Sequence, residues 1–148
     1  MALTGTYNRT LDEKQRVAIP KPLREAFAAD NGESVSFVYI APGNDTSLAI
    51  YTEKSFQALA TRLAEKSTGR ADIRTYLRLF YARAERVDID SQGRIRIPER
   101  LVDLGKLEHQ VVMLGVHDHA EIWDQNLWQS YLNRFTDEFD QMTGSVFE

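Results

Sequence analysis

The chain has 148 residues, a net charge of −4 and 43% hydrophobic residues, a composition that favours one globular unit and argues against disorder. No apolar run reaches the roughly 18 residues that a membrane span needs, and the first residues lack the basic and apolar segments of a signal peptide. The absence of cysteine excludes disulfides, thiol catalysis and cysteine-ligated metal sites.

The charge is unevenly distributed along the chain. Residues 1–105 hold 16 Lys and Arg against 14 Asp and Glu, whereas residues 106–148 hold 2 against 8. Because local patches decide what a surface attracts, the acidic total does not exclude an anionic partner for the first part of the chain.

In chain order, the first half is predicted to contain four short strands and two helices. Short strand candidates are predicted at 6–11 and 17–19, on either side of a turn, and a mostly apolar strand at 35–40 is followed across a loop by one at 47–51. Pro20 is suited to the first turn of a short helix after the second strand. Thr52 is a good N-cap for the closing helix.

The second half repeats this order, with strands at 86–89, 94–97, 110–116 and 120–123 and a closing helix capped by Asp124. Between the halves, an extra helix is predicted at about 70–84. It carries an apolar stripe and a second stripe formed by Arg70, Arg74 and Arg78, for which we favour a solvated or subunit-interface face over a DNA surface. Residues 137–148 lose the pattern and are expected to fray.

The clearest feature is an internal repeat. Residues 11–24 read LDEKQRVAIPKPLR and residues 89–102 read IDSQGRIRIPERLV, at an offset of 78. The matched positions include an aspartate, an arginine four residues later and the proline that precedes each short helix: Asp12 and Asp90, Arg16 and Arg94, Pro20 and Pro98.

These two Asp-x-x-x-Arg elements, together with Glu-Ile-Trp-Asp at 121–124, resemble the MraZ family of bacterial transcriptional regulators over about residues 5–135. The resemblance implies an α+β fold in which two tandem AbrB-like swapped-hairpin halves form a pseudo-two-fold β-barrel with flanking helices. The expected boundaries are 5–52 for the first half, 53–84 for linking helices, 85–128 for the second half and 129–148 for a C-terminal helix and tail.

One residue departs from the family pattern. The first element usually reads Asp-x-x-Gly-Arg, whereas Gln15 stands here in the place of glycine, and the second element keeps Gly93. Glycine adopts a positive φ without steric cost, so Gln15 is expected to strain or reshape its turn.

Each Asp-x-x-x-Arg element allows two interpretations. In the first, the aspartate accepts the N–H groups of a tight turn and the arginine pairs with it as an ordinary surface ion pair. In the second, the hairpin tip presents a planar guanidinium to phosphate or guanine. The repetition and the family resemblance favour the second interpretation.

On that basis we predict DNA contacts from five basic residues: Lys14, Arg16, Lys21, Arg24 and Arg94. The turns themselves are predicted to be structured by Asp12, Asp90 and Gly93. Because Lys14 has no basic counterpart at Gln92, the first hairpin is expected to be the stronger contact.

Other chemistry finds little support. His117 and His119 flank Asp118, but they fall between two predicted strands and are more simply explained as a polar turn than as a metal site. No nucleophile, dinucleotide or phosphate-loop motif is present, and no carboxylate pair indicates acid–base catalysis. We therefore predict no enzyme activity, no metal, no cofactor and no small-molecule substrate.

The sequence thus predicts a cytoplasmic, nucleoid-associated regulator that binds repeated promoter boxes in double-stranded DNA as a ring of identical chains. The resemblance implies a repressor of the division and cell-wall gene cluster. Two alternatives remain: an oligomeric assembly module that acts through protein contacts only, and an antitoxin-like DNA-binding dimer.

Overall fold

A computed structural model of the chain describes residues 2–66 and 69–148 as a mixed α+β structure with antiparallel sheet. The first half contains β1 (Thr6–Thr10), β2 (Arg16–Ala18), α1 (Lys21–Asn31), β3 (Phe37–Pro42) and β4 (Leu48–Tyr51). Two linking helices follow, α2 (Glu53–Lys66) and α3 (Ala71–Arg83). The second half contains β5 (Glu85–Asp88), β6 (Arg94–Arg96), α4 (Glu99–Leu104), β7 (Gln110–Val116), β8 (His119–Asp124), α5 (Gln125–Phe135), a 3₁₀ turn (Thr136–Glu138) and α6 (Phe139–Val146).

The two halves exchange their first strands. The main sheet has six strands in the order β1-β7-β8-β4-β3-β5. Strand β1 of the first half pairs with β7 of the second, with Thr6 opposite Leu114, and β5 of the second half pairs with β3 of the first, with Phe37 opposite Asp88. Each half therefore completes the sheet of the other.

The predicted pseudo-two-fold β-barrel is not confirmed, because the six-stranded sheet is not closed and ends at β1 and β5. The second strand of each hairpin leaves the sheet, and β2 and β6 form a separate antiparallel ribbon. At the first hairpin, the Asp12 N–H donates to the Arg16 carbonyl, and Asp90 and Arg94 repeat this bond at the second. After this bond, the strand that follows each turn pairs with the equivalent strand of the other half, β2 with β6.

The sheet separates two layers of packing. Along β3, Val38 and Ile40 face the main core, whereas Tyr39 and Ala41 face the opposite side, as a period of two requires. The main core lies between the sheet and the ribbon with α1 and α4. The opposite face is covered by α2 and α3 over the first half and by α5 over the second.

Both closing helices begin at the predicted caps. The Thr52 hydroxyl accepts the Ser55 N–H at 3.1 Å, and the Asp124 carboxylate accepts the N–H groups of Asn126 and Leu127. Pro20 and Pro98, predicted in the first turn, are instead the N-cap residues immediately before α1 and α4. Proline is tolerated at the start of a helix because its missing backbone N–H would have no partner within the helix there.

The expectation that residues 137–148 fray is wrong, because most of them form the 3₁₀ turn and α6. The apolar residues Phe139, Met142 and Val146 recur at helical spacing, a pattern that the sequence reading missed. They leave an exposed apolar surface at the end of the chain, with Phe139 69% and Val146 74% exposed. Among the described residues, no helix is both long and apolar enough to cross a membrane.

The hairpin between β7 and β8 carries a small charged cluster. As predicted, His117 lies in the turn, where its φ is 65°. His119 Nδ1 lies 2.8 Å from Asp118 Oδ1 and its Nε2 lies 3.7 Å from Glu121 Oε2. Burial alone would lower the pKa of His119, but hydrogen bonds to Glu121 and Asp118 outweigh burial and raise it above its usual value.

This cluster predicts a pH-dependent contribution to stability. A histidine with a raised pKa in the folded state stabilises the protein fully below its unfolded pKa of about 6.5, and this contribution is lost as pH rises through the folded pKa. We expect His119→Gln to lower the melting temperature more at about pH 6 than at about pH 8.5. Thermal unfolding at both pH values checks this, with His117→Gln as an exposed control; an equal deficit at the two pH values would contradict it.

Candidate nucleic-acid interface

The first hairpin turn is organised around one carboxylate. Asp12 Oδ1 accepts the backbone N–H groups of Lys14 at 2.9 Å and Arg16 at 2.8 Å. Asp12 Oδ2 accepts Arg16 Nε at 2.9 Å, and the Gln15 N–H closes the turn on the Asp12 carbonyl. One side chain therefore folds the turn and fixes the direction of the arginine.

The second hairpin repeats this arrangement. Asp90 Oδ1 accepts the N–H groups of Gln92 and Arg94 at 2.9 Å, and Oδ2 accepts Arg94 Nε at 2.9 Å. The backbone N–H of the following arginine is the largest influence on each carboxyl and lowers the pKa of both Asp12 and Asp90. Both carboxylates are thus charged at neutral pH, when they hold their arginines.

Each arginine uses only one edge of its guanidinium inside the protein. The described residues provide a partner for Nε alone, and they provide none for the Nη groups of Arg16 or Arg94. The two side chains are 33% and 28% exposed. Each tip therefore presents up to four N–H donors, held in a fixed plane, to an external acceptor.

The ribbon places both arginines on one outward face. Val17 pairs with Ile95, and each is 1% exposed against the main core. Because side chains alternate across a strand, their neighbours face away from the core. Arg16 stands opposite Arg96, and Arg94 stands opposite Ala18, so three arginines share the outer face.

Arg96 is a candidate contact that the sequence prediction omitted. It is exposed and lies directly across the ribbon from Arg16. The signal was present in the sequence, since arginine at 94 and 96 alternates with isoleucine at 95 and 97. The repeat concealed it, because the counterpart of Arg96 in the first half is Ala18.

The structure divides the predicted basic residues between the two tips. Lys14 and Arg16 belong to the first turn. Lys21 and Arg24 lie on α1, which begins where the Ile19 N–H donates to the Gly93 carbonyl. Arg24 lies against Gly93 of the second turn, although it follows the first turn in sequence, and Lys21 stands at the start of the same helix, where it pairs with Glu25 at 3.9 Å.

The arginine stripe on α3 is separate from this face. Arg70, Arg74 and Arg78 are exposed, and α3 packs on the side of the sheet opposite the ribbon, where Phe80 is buried. The stripe therefore does not extend the ribbon surface.

The departure at Gln15 has the expected backbone consequence. Gln15 has a φ of 62°, and Gly93 has a φ of 76° at the equivalent position of the second turn. The turn keeps its shape in both halves, since Asp12 and Asp90 make matching bonds. A non-glycine residue in the left-handed region costs about 1 kcal/mol.

Gln15→Gly is accordingly expected to be tolerated and to stabilise the chain slightly, by about 0.5 kcal/mol, because relief of the positive φ exceeds the added entropy of the unfolded chain. Thermal unfolding of the variant and the original chain under the same conditions measures the effect. A lower melting temperature would show that the Gln15 side chain makes stabilising contacts that outweigh its strained backbone.

Comparison with known proteins agrees with this doubled organisation. The family model of the MraZ protein, which is described as antitoxin-like, matches residues 2–79 and again residues 80–145. The transcriptional regulator MraZ of Mesoplasma florum is 32% identical over 148 residues, which cover 100% of this chain and 97% of that protein. The transcriptional regulator MraZ of Limosilactobacillus fermentum is 36% identical over 138 residues, which cover 93% of this chain and 92% of that protein.

A third relative, the transcriptional regulator MraZ of Moorella thermoacetica, is 32% identical over 144 residues, with 97% of this chain and 96% of that protein covered. All three relatives are named as regulators of transcription and not as enzymes. The family prediction is confirmed by two family matches in tandem and by relatives aligned along nearly their whole length: the chain belongs to the MraZ family.

Proposed function

We propose that this chain is a DNA-binding transcriptional regulator and that the ribbon of β2 and β6 is its DNA-contacting element. The observation that carries the proposal is the pair of aspartate-held arginines, whose Nη groups face outward on one surface together with Arg96. The names of the relatives support the same function.

The shape of the ribbon is suited to the major groove, which is about 12 Å wide and admits a two-stranded β-ribbon. The outer face of the ribbon is short and basic, and Val17 and Ile95 anchor its inner face. Arg16 and Arg94 would contact guanine edges or phosphates through their Nη groups. Lys14, Lys21, Arg24 and Arg96 would add phosphate contacts.

A single copy offers few such contacts, so we propose that the chain acts as a ring of identical copies on repeated promoter boxes. Simultaneous engagement of several boxes raises avidity by orders of magnitude without new contacts. Exposed apolar residues on α3 and α6 are available to bury between copies, with Tyr76 51% and Phe139 69% exposed. Such occupancy of a promoter would make the chain a repressor, acting in the cytoplasm in association with the nucleoid.

The exchange of β1 and β5 between halves supports an AbrB-like swapped-hairpin arrangement within one chain. The same exchange bears on the alternative of an antitoxin-like dimer. A second copy is not required to complete the sheet, because each half receives its partner strand from the same chain.

The proposal is tested by titrating the intact chain with two labelled duplexes of equal length at several salt concentrations. One duplex carries the DNA immediately upstream of the chain's own gene, and the other has a scrambled sequence. A regulator is expected to prefer the upstream duplex and to lose affinity linearly with the logarithm of salt. Absence of salt-dependent binding to either duplex would favour the assembly module. Light scattering separates a dimer from a ring.

A further inference from the structure

The two turns have different neighbours, although their own geometry matches. The Ile19 N–H donates to the Gly93 carbonyl at 2.9 Å, and the Ile97 N–H donates to the Gln15 carbonyl at 2.9 Å. Helix α1 therefore begins beside the second turn and α4 begins beside the first. Each turn is flanked by the helix that follows the other turn in sequence.

These flanking helices carry different charges at equivalent positions. At the offset of 78, Lys21 is replaced by Glu99 and Arg24 by Val102. At these two positions α1 thus has cations, whereas α4 has a carboxylate and an apolar side chain. The α4 cation Arg100, which stands where α1 has Pro22, pairs with Glu85 on β5. Lys14 partly offsets this difference, but Glu13 lies next to it on the same turn.

Arg24 is seated directly on the second turn. Its Nε donates to the Ile19 carbonyl at 3.1 Å, which directs the guanidinium across the strand end. A Cβ atom added to Gly93 would lie 2.9 Å from both Cζ and Nε of Arg24. The guanidinium therefore occupies space that only a residue without a side chain leaves open, in a cavity that Asp90 and Ser91 also line.

We propose that Gly93 seats Arg24, and that Arg24 acts with Arg94 and Lys21 as one composite cationic site at the second turn. This inference rests on the proposed function and assigns the main phosphate contact to the second hairpin. The prediction that the first hairpin is the stronger DNA contact rested on Lys14, which has no basic counterpart at Gln92. Gly93 is a positioning residue in this site, since it acts through Arg24.

The proposal is tested by a double-mutant cycle between positions 24 and 93 with a labelled mixed-sequence duplex as probe. Arg24→Val, which copies Val102, is expected to reduce the slope of log affinity against log salt by about one per engaged copy. Gly93→Asn adds a Cβ at a backbone position that asparagine tolerates, and it is expected to weaken binding several-fold only when Arg24 is present. Gln15→Gly at the first turn is the matched control and is expected to show no coupling to Arg24.

A spectroscopic measurement keeps the test independent of DNA. The Nε–H resonance of Arg24 reports its bond to the Ile19 carbonyl, and it is expected to shift in Gly93→Asn but not in Gln15→Gly. A native-like circular dichroism spectrum confirms that each variant is folded.

Losses that simply add in the double variant, or an unshifted Arg24 resonance in Gly93→Asn, would overturn the coupling. An unchanged salt slope in Arg24→Val, with loss of binding in Arg94→Gln, would overturn the composite site and leave the proposed function intact. An original chain that shows no salt-dependent DNA binding would overturn both.

Discussion

Replacement of both Arg16 and Arg94 by glutamine is expected to abolish sequence-specific DNA binding while the fold and the assembly remain intact. An arginine that bonds a guanine edge contributes roughly 1–3 kcal/mol of discrimination, so each substitution should weaken binding at a single site by about 5-fold to 150-fold. Both side chains are partly exposed, and residues 2–66 and 69–148 offer a partner to Nε alone, so little packing is lost.

Assembly would amplify this effect. In a ring that engages several boxes at once, a loss at each site multiplies over the engaged copies, so a modest change per site becomes near-complete loss. Titration of the upstream and scrambled duplexes, with size and circular dichroism measured alongside, gives the comparison.

Arg134→Gln is the control for this experiment, because it removes an equal charge from α5, where Arg134 lies over the ring of Phe135. The control is expected to bind like the original chain. The double variant Arg16→Gln and Arg94→Gln is folded in this test only if its circular dichroism is unchanged. If it then keeps its full preference for the upstream duplex, the two arginines do not contact DNA, and both aspartate–arginine pairs only structure their turns.

The second large effect is expected at the inner face of the ribbon. Ile95 is 1% exposed, pairs across the ribbon with Val17 and belongs to the main core. Ile95→Ala removes buried methyl groups and leaves a cavity, so we expect a loss of about 2–5 kcal/mol in the free energy of unfolding. The free energy of unfolding of a typical domain is only about 5–15 kcal/mol.

Urea unfolding at one fixed chain concentration measures this loss, and Ile95→Val, expected to cost about 0.5–1.5 kcal/mol, is the graded control. DNA affinity should fall in parallel, since strands of three residues have few other contacts to hold the outer arginines in register. Arg96→Gln, on the exposed face of the same strand, should leave stability nearly unchanged. An Ile95→Ala variant within 0.5 kcal/mol of the original chain, a loss typical of surface substitutions, would show that the ribbon is not anchored there.

Much of the fold was readable from local sequence. The repeat at offset 78 located both turns, and the mostly apolar run at 110–116 predicted the strand that the structure has at Gln110–Val116. Thr52 and Asp124 identified the helix starts because capping depends on neighbouring residues alone. Boundaries of the shorter strands differ by one or two residues, because their ends are set by pairing partners that lie far away in sequence.

Local patterns did not predict the contacts between residues that lie far apart in sequence. The open sheet depends on which half supplies the neighbour of each strand, and the repeat makes both choices equally plausible in sequence. The position of Arg24 is a second example, because a residue eight positions after Arg16 lies beside the turn of Gly93. The position of Arg24 in the sequence therefore does not reveal that it lies against the second turn.

The exchange of β1 and β5 also constrains how the chain can fold as it is synthesised. Strand β1 leaves the ribosome before its partner β7, which lies about a hundred residues later, with Thr6 opposite Leu114. Pairings of such separation pay the entropy of a long loop before any contact forms, and this slows folding. The first half must therefore wait, with apolar strand faces uncovered, until β7 has been translated.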